Sequence, residues 1–180
     1  MVAILKAAEK GRWYDQLGTR ISCVISNRPD TTGLALAAEF GVATQVIDHK
    51  LFSSRELFDA ALQNAIDAHQ PALVVLAGFM RILGPAFVQH FTGRLINIHP
   101  SLLPAFAGLN THQRAIDAGC TLAGASVHFV TSQLDHGRVI AQAAVPVLPH
   151  DTAAALAARV LKQEHVIYPK AIRALLEGMC

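Results

Sequence analysis

Asn97-Ile98-His99-Pro100-Ser101-Leu102-Leu103-Pro104 is the stretch where an apolar strand pattern stops and several polar groups arrive together. By the two-residue period of a strand, Leu95, Asn97 and His99 share one face, while Ile96 and Ile98 take the other. Pro100 donates nothing to a sheet ladder and keeps His99 out of the helical region, so the strand is expected to end with His99 at its carboxyl tip. In an open α/β sheet that tip is where ligands bind. An Asn-x-His pair can also do no more than cap a strand end, so the rest of the chain has to decide between the two readings.

Upstream, Ala72 to Ala77 is a continuous apolar run of the kind found in a parallel sheet covered on both faces, and Gly78 to Arg81 leaves its carboxyl end. Before it stand two further strand patterns, Ile21 to Ser26 and Thr44 to Ile47. The first is closed by the turn signal Asn27-Arg28-Pro29-Asp30. Helical spacing runs over Val2 to Lys10, Gly33 to Phe40, a segment to about His69 that Ser53 and Glu56 cap as a box, and Pro85 to Phe91. Strands alternating with helices predict a doubly wound α/β sheet, mostly parallel and open, with helices on both faces.

Downstream, Ser101 to Thr111 has few periodic apolar positions and reads as a loop over the carboxyl edge, where loops tend to carry function. His112 to Ala118 reads as a short helix. Ala125 to Val130 and Val139 to Val147 are strands able to pair antiparallel around Thr131 to Arg138, which contains Asp135. From Asp151, a good N-cap, an alanine-rich helix continues toward Gly178, with a kink or division expected at Pro169.

At 180 residues, 52% hydrophobic and without a low-complexity tract, the chain fits one domain over residues 1–180 with a well-filled core. A formal charge of +2, with scattered Lys and Arg, marks no nucleic-acid groove or membrane patch and favours small-molecule chemistry. Cys23, Cys120 and Cys180 have no CxxC spacing and fit reduced thiols, Cys23 as core filling. No apolar run reaches membrane-spanning length, and Met1 is followed by an amphipathic stretch rather than a signal-peptide pattern. The expectation is a soluble cytoplasmic protein, monomer or homodimer, with no nucleic-acid or membrane partner.

An amine attacking a neutral carbonyl passes through a tetrahedral oxyanion, which fixed donors stabilise, and Asn97 and His99 can be those donors. A nearby carboxylate would favour the charged imidazole or take a proton itself, and Asp135 is the candidate. Spacing alone does not bring Asp135 to His99, since an acidic residue in a turn is usually just solvated.

Six motifs in order supply that link. Leu76-Ala-Gly-Phe-Met-Arg-Ile-Leu83, Asn97 to Pro104, Gly108-Leu-Asn-Thr-His112, Ser126-Val-His-Phe-Val130, Leu134-Asp135 and Gln163-Glu-His-Val-Ile-Tyr-Pro169 resemble the motifs of the phosphoribosylglycinamide formyltransferases. The resemblance covers about Met1 to Gly178. It implies formyl transfer from 10-formyltetrahydrofolate, as co-substrate, to the amine of glycinamide ribonucleotide in purine synthesis. It also implies a catalytic set of Asn97, His99 and Asp135. A folate pocket walled by Arg81, Ile82, Leu83, Val88, Leu95 and the stretch Val130, Thr131 to Leu134 follows from the same match, with backbone groups reading the pterin. Arg55 matches a phosphate contact and Glu164 a contact to the ribose hydroxyls.

The chain departs from that pattern at three places. Position 110 is Asn where the family usually has His, and Arg138 stands where Pro usually follows the glycines after Asp135. The family begins with an apolar strand and a Gly-rich phosphate-cradling loop, whereas Met1 falls about where the following helix begins. That strand would lie between Ile21–Ser26 and Ala72–Ala77. Without the loop, ribonucleotide affinity is expected to suffer more than folate affinity. Formyltetrahydrofolate deformylase and a folate-binding remnant with little activity are the alternatives. Methionyl-tRNA formyltransferase would need a further basic domain. A metal site drawn from His99, His112, His128 and His136 lacks any zinc-motif spacing, so no metal is expected.

Overall fold

The computed structural model describes residues 1–179, so the expectation for Cys180 lies outside the described residues. The secondary structure begins with α1 (Val2–Lys10), α2 (Trp13–Leu17), β1 (Cys23–Ser26), α3 (Thr32–Glu39) and β2 (Ala43–Val46). A 3-10 turn (His49–Leu51) leads to α4 (Arg55–Asp67), β3 (Val74–Leu76), α5 (Pro85–His90) and β4 (Leu95–His99). The chain closes with α6 (Thr111–Asp117), β5 (Leu122–Phe129), β6 (Val139–Pro146) and α7 (Ala153–Glu177). This is the alternating α/β order that the apolar periods predict, with α2 and the 3-10 turn as additions. Their lengths leave little periodicity to read. Among the described residues no helix is long and apolar enough to cross a membrane.

The strands form two pieces. β1 and β2 pair in parallel, and β3-β4-β5-β6 form a four-stranded sheet in that order. β3 and β4 are parallel, but β5 runs antiparallel to both β4 and β6, so two antiparallel ladders occur where one was expected. β1 and β3 are not hydrogen-bonded to each other, and no described strand lies between them. Apolar packing spans that gap on both faces. Val75 of β3 and Ile21, just before β1, join the cluster of Ile4, Trp13, Ile96, Val127, Tyr168 and Ile172, which α1 and α7 cover. On the other face Ile25 and Leu76 join Phe58, Leu62, Val74, Phe87, Phe91 and Leu95 under α4 and α5. Cys23 is only half buried, so it fills the core less than expected.

Three local expectations are corrected. The cap of α4 is Ser54 rather than Ser53, its hydroxyl accepting from the Leu57 N–H at 3.3 Å. The cap of α7 is Thr152 rather than Asp151, accepting from the Ala155 N–H at 3.1 Å. Asp151 is taken up instead by the Leu148 N–H and by both terminal nitrogens of Arg159, which hold its carboxyl down at about 2. Third, α7 is not divided at Pro169 but runs through it. Packing outweighs the missing N–H there, because Tyr168 and Pro169 are both buried against the sheet. The Tyr168 hydroxyl donates toward the carbonyls of Leu76 (2.7 Å) and Ile96 (3.2 Å), tying the middle of α7 to β3 and β4.

The loop 100–110 lies over the far face of β5 and β6, and one hydroxyl fastens it. Ser126 Oγ, fully buried, donates to the Ser101 carbonyl at 2.7 Å and accepts from the Leu103 N–H at 2.9 Å. The Gln142 amide donates both to that hydroxyl (2.8 Å) and to the Leu103 carbonyl (2.9 Å). Gly124 leaves room for this seat, since a Cβ there would meet Leu102 Cδ2 at 2.8 Å and collide with the Ala143 carbonyl.

Two stability changes are expected. Tyr168→Phe strips a donor from two inner carbonyls and should cost about 1–3 kcal/mol, read as a lower urea midpoint at unchanged slope. Ser126→Ala should cost a similar amount, about 1–3 kcal/mol, and speed hydrogen exchange at the Leu103 amide, whose acceptor is removed.

Candidate active site

β4 delivers Asn97 and His99 to one face of its carboxyl end, as the two-residue period predicts. The antiparallel register adds two partners on the same face, Asn97 standing opposite His128 and His99 opposite Ser126. Four polar side chains therefore form a square at the end of the sheet. His99, Ser126 and His128 are buried, while Asn97 is half-buried and its amide has no hydrogen-bond partner among the described residues.

Asp135 closes the square from the turn after β5. Its backbone is left-handed (φ 56°), a conformation that Asp tolerates better than most residues. The side chain is only 6% exposed, which overturns the solvated reading of an acidic turn residue. Gly137 permits the tight return, because a Cβ there would run into the Phe129 carbonyl. One carboxylate oxygen, Oδ2, accepts from the Gly108 N–H at 2.9 Å and lies 3.4 Å from His99 Nδ1. The other, Oδ1, lies 3.7 Å from His128 Nε2.

The ring tautomers follow from the remaining contacts. A carbonyl oxygen only accepts, so the nitrogen facing it carries the proton. His99 Nε2 donates to the Phe106 carbonyl at 3.1 Å, and His128 Nδ1 donates to the Phe129 carbonyl at 2.9 Å. Phe106 is itself left-handed (φ 55°), which aims its carbonyl back at the strand tip. Burial pushes the His128 imidazole below its ordinary value, against the opposing pull of the Phe129 carbonyl and the Asp135 charge. Burial likewise lowers His112, aided by His99.

The proposed folate wall divides. Leu95 and Val88 are buried, and the Leu95 carbonyl is already paired with the Val130 N–H at 2.9 Å. Leu83 and Val130 pack on the Phe58–Phe91 cluster. Arg81 lies over the Phe58 ring at 5.3 Å, and Thr131 donates to the Gln133 carbonyl. Ile82 and Leu134 are the open apolar members, 64% and 55% exposed. Arg55 stands exposed in the first turn of α4, its guanidinium 3.8 Å from Glu56.

Glu164 of α7 lines a cavity of about 220 Å³ with Met1, Gly78, Ile98, His165 and Tyr168. Burial raises its carboxyl above the ordinary range, while His99 and the chain amine pull the other way. No hydrogen bond engages it among the described residues.

Two of the three departures have local explanations. Asn110 is left-handed (φ 57°) just before α6, a conformation open to Asn. Arg138 stacks on the Phe129 ring at 4.8 Å. Among the described residues no three His, Cys, Asp or Glu side chains group as a metal site, and His136 turns to the Leu134 carbonyl. In the sequence Ser126 and His128 stand inside a family motif without a role of their own, His128 also as a weak metal candidate, and Gln142 carries no signal. The alternation of Ser126 and His128 with Ala125, Val127 and Phe129 was the available signal. Its meaning depends on the register with β4.

A family model described as formyl transferase matches residues 1–172. Phosphoribosylglycinamide formyltransferase of Escherichia coli K12 is 51% identical over 158 residues, which make up 88% of this chain and 74% of that protein. The crystal structure of glycinamide ribonucleotide transformylase 1 from Symbiobacterium toebii is 45% identical and superimposes with a TM-score of 0.92, covering 98% of this chain and 82% of that one. That of phosphoribosylglycinamide formyltransferase from Brucella melitensis is 48% identical with a TM-score of 0.89, covering 100% of this chain and 91% of that one. With a family match over nearly its whole length and a shared fold at close to half identity, this chain belongs to the formyl transferase family.

Proposed function

We propose that this protein transfers the formyl group of 10-formyltetrahydrofolate to the amine of 5'-phosphoribosylglycinamide in purine synthesis, with Asn97, His99 and Asp135 as its catalytic residues. The observation that carries this reading is the meeting of an unpartnered amide, a buried imidazole and a buried carboxylate at one strand tip. They meet in a chain half identical to a named phosphoribosylglycinamide formyltransferase.

In the proposed step the amine nitrogen bonds to the formyl carbon and the carbonyl oxygen becomes an oxyanion. The Asn97 amide and the His99 ring supply fixed donors to that oxygen in a site screened from bulk water. For His99 this means exchanging the Phe106 carbonyl for the oxyanion at Nε2, while Asp135 steadies Nδ1 and so favours the imidazolium. The attacking amine loses a proton to Asp135, and the departing N10 of the folate takes one up as its bond to the formyl carbon breaks. Net, one proton moves from amine to N10.

The folate is assigned to the side of the sheet bearing Ile82 and Leu134, whose exposed apolar surface suits a flat ring. Arg81, Leu83, Val88, Leu95, Val130 and Thr131 complete that wall in the proposal, with Leu95 contributing from the core. The ribonucleotide is assigned to the cavity beside Glu164, whose unengaged carboxyl suits ribose hydroxyls, with Arg55 as the phosphate contact.

The direct test follows the fate of the donor. Incubated with 10-formyltetrahydrofolate alone, the protein should release little formate, and adding glycinamide ribonucleotide should start consumption. Equal donor loss without the ribonucleotide would instead mark a deformylase. His99→Ala and Asn97→Ala should each lower kcat by about 10²–10³ with little change in folate KM, as expected for an interaction made in the transition state. Wild-type turnover in either variant would remove that residue from the mechanism.

A further inference from the structure

His128 is a buried titratable group that the proposed reaction leaves without a task. Its ring is 2% exposed, and its Nδ1–H is committed to the Phe129 carbonyl. Nε2 is buried with no hydrogen-bond partner among the described residues, and it faces Asp135 Oδ1 at 3.7 Å. In the neutral ring Nε2 carries only a lone pair. Opposite it stands an oxygen that, when ionised, also offers only lone pairs. Two acceptors facing each other in a buried site repel, and a polar atom left unmatched there costs free energy. One proton between them reverses the sign of the contact. A separation of 3.7 Å is too long for a formed hydrogen bond and short enough to close with a small side-chain movement.

We infer that His128 is a positioning residue: a proton held between its Nε2 and Asp135 Oδ1 locks the carboxylate, so that Oδ2 stays on Gly108 and on His99. The inference rests on the reaction assigned above for its kinetic consequence, though the coupling of the two side chains does not. Asp135 then stands between two imidazoles, each with its other nitrogen fixed on a backbone carbonyl. The proton shifts only within the pair, an Nε2–H bond exchanging for an Oδ1–H bond, so His128 passes nothing to the substrate. The titratable groups that reach His128 are Asp135, from the turn, and His99, from β4. Burial and the His99 charge disfavour the His128 imidazolium, and Asp135 favours it. Deprotonating the pair at high pH should leave the carboxylate loosely held.

Two variants and one spectroscopic measurement test this. His128→Leu keeps the ring's bulk in part but removes the donor. Its kcat should fall about tenfold or more, with folate and ribonucleotide KM nearly unchanged, by analogy with other residues that orient a catalytic ligand. His128→Gln offers a permanent amide donor near the Nε2 position. It should restore most of the turnover lost in the leucine variant and weaken the alkaline decline of kcat. Wild-type kcat in His128→Leu would overturn the inference, as would a glutamine variant, folded by its melting curve, that is as slow as the leucine one. If the leucine variant does not fold, an unchanged alkaline limb in His128→Gln overturns it alone. Independently of activity, His128 followed by ¹⁵N NMR should titrate at lower pH in Asp135→Gly than in the wild type, and an unchanged titration would refute the coupling. Absence of formyl transfer by the wild-type protein counts against the reaction assigned above and leaves this NMR comparison standing.

Discussion

The carboxylate of Asp135 is the point on which the strand-tip site depends. It reaches in from a left-handed turn and is almost closed off from solvent. There it collects a backbone N–H from the 100–110 loop, an imidazole from β4 and an imidazole from β5. The strand tip, the loop that follows it and a strand from further along the chain thereby share one carboxylate. Charge-assisted contacts of this kind are stronger than neutral ones, and a low local dielectric strengthens them further. The same dielectric penalises any orphaned member, so the arrangement holds as a unit.

The supporting structure is built to keep that unit still. Ser126 and Gln142 seat the loop on β5 and β6, and Gly124 lets Leu102 press against the sheet. Phe106 and Asn110, both left-handed without being glycine, shape the loop so that one carbonyl meets His99 and α6 begins. Strain of this sort persists only where its surroundings over-determine it, and it concentrates at functional sites. On the opposite face Tyr168 ties α7 to β3 and β4, and Glu164, one helical turn away, faces the cavity. The sheet end is thus gripped from both faces, while the Asn97 amide has no hydrogen-bond partner among the described residues.

Much of this is legible in the residues. Pro100 stops β4 where expected, and the alternation of Leu95, Asn97 and His99 assigns their face without any structure. The continuous apolar runs mark parallel strands covered on both sides. What is not legible depends on register and on competition between partners. The meeting of His128 with Asp135 needs the Asn97–His128 pairing, which no local pattern encodes. Asp151 looks like a helix cap, but Arg159, two turns on, outcompetes the helix for it, and Thr152 takes the position. Pro169 looks like a kink or a division of the helix until the burial of its turn is known. Leu95 resembles a pocket residue by motif and is a core residue by exposure.

The fastening role of Asp135 is open to one direct measurement, amide hydrogen exchange at Gly108 in the wild type and in Asp135→Gly. Glycine keeps the left-handed turn unstrained while deleting the carboxylate. Loss of one such hydrogen bond, at about 1.4 kcal/mol, corresponds to roughly tenfold faster exchange. Gly108 should be protected in the wild type and exchange at least about tenfold faster in the variant. Leu103, held by Ser126, should be unchanged. Equal protection of Gly108 in the two proteins would contradict a site assembled around this carboxylate.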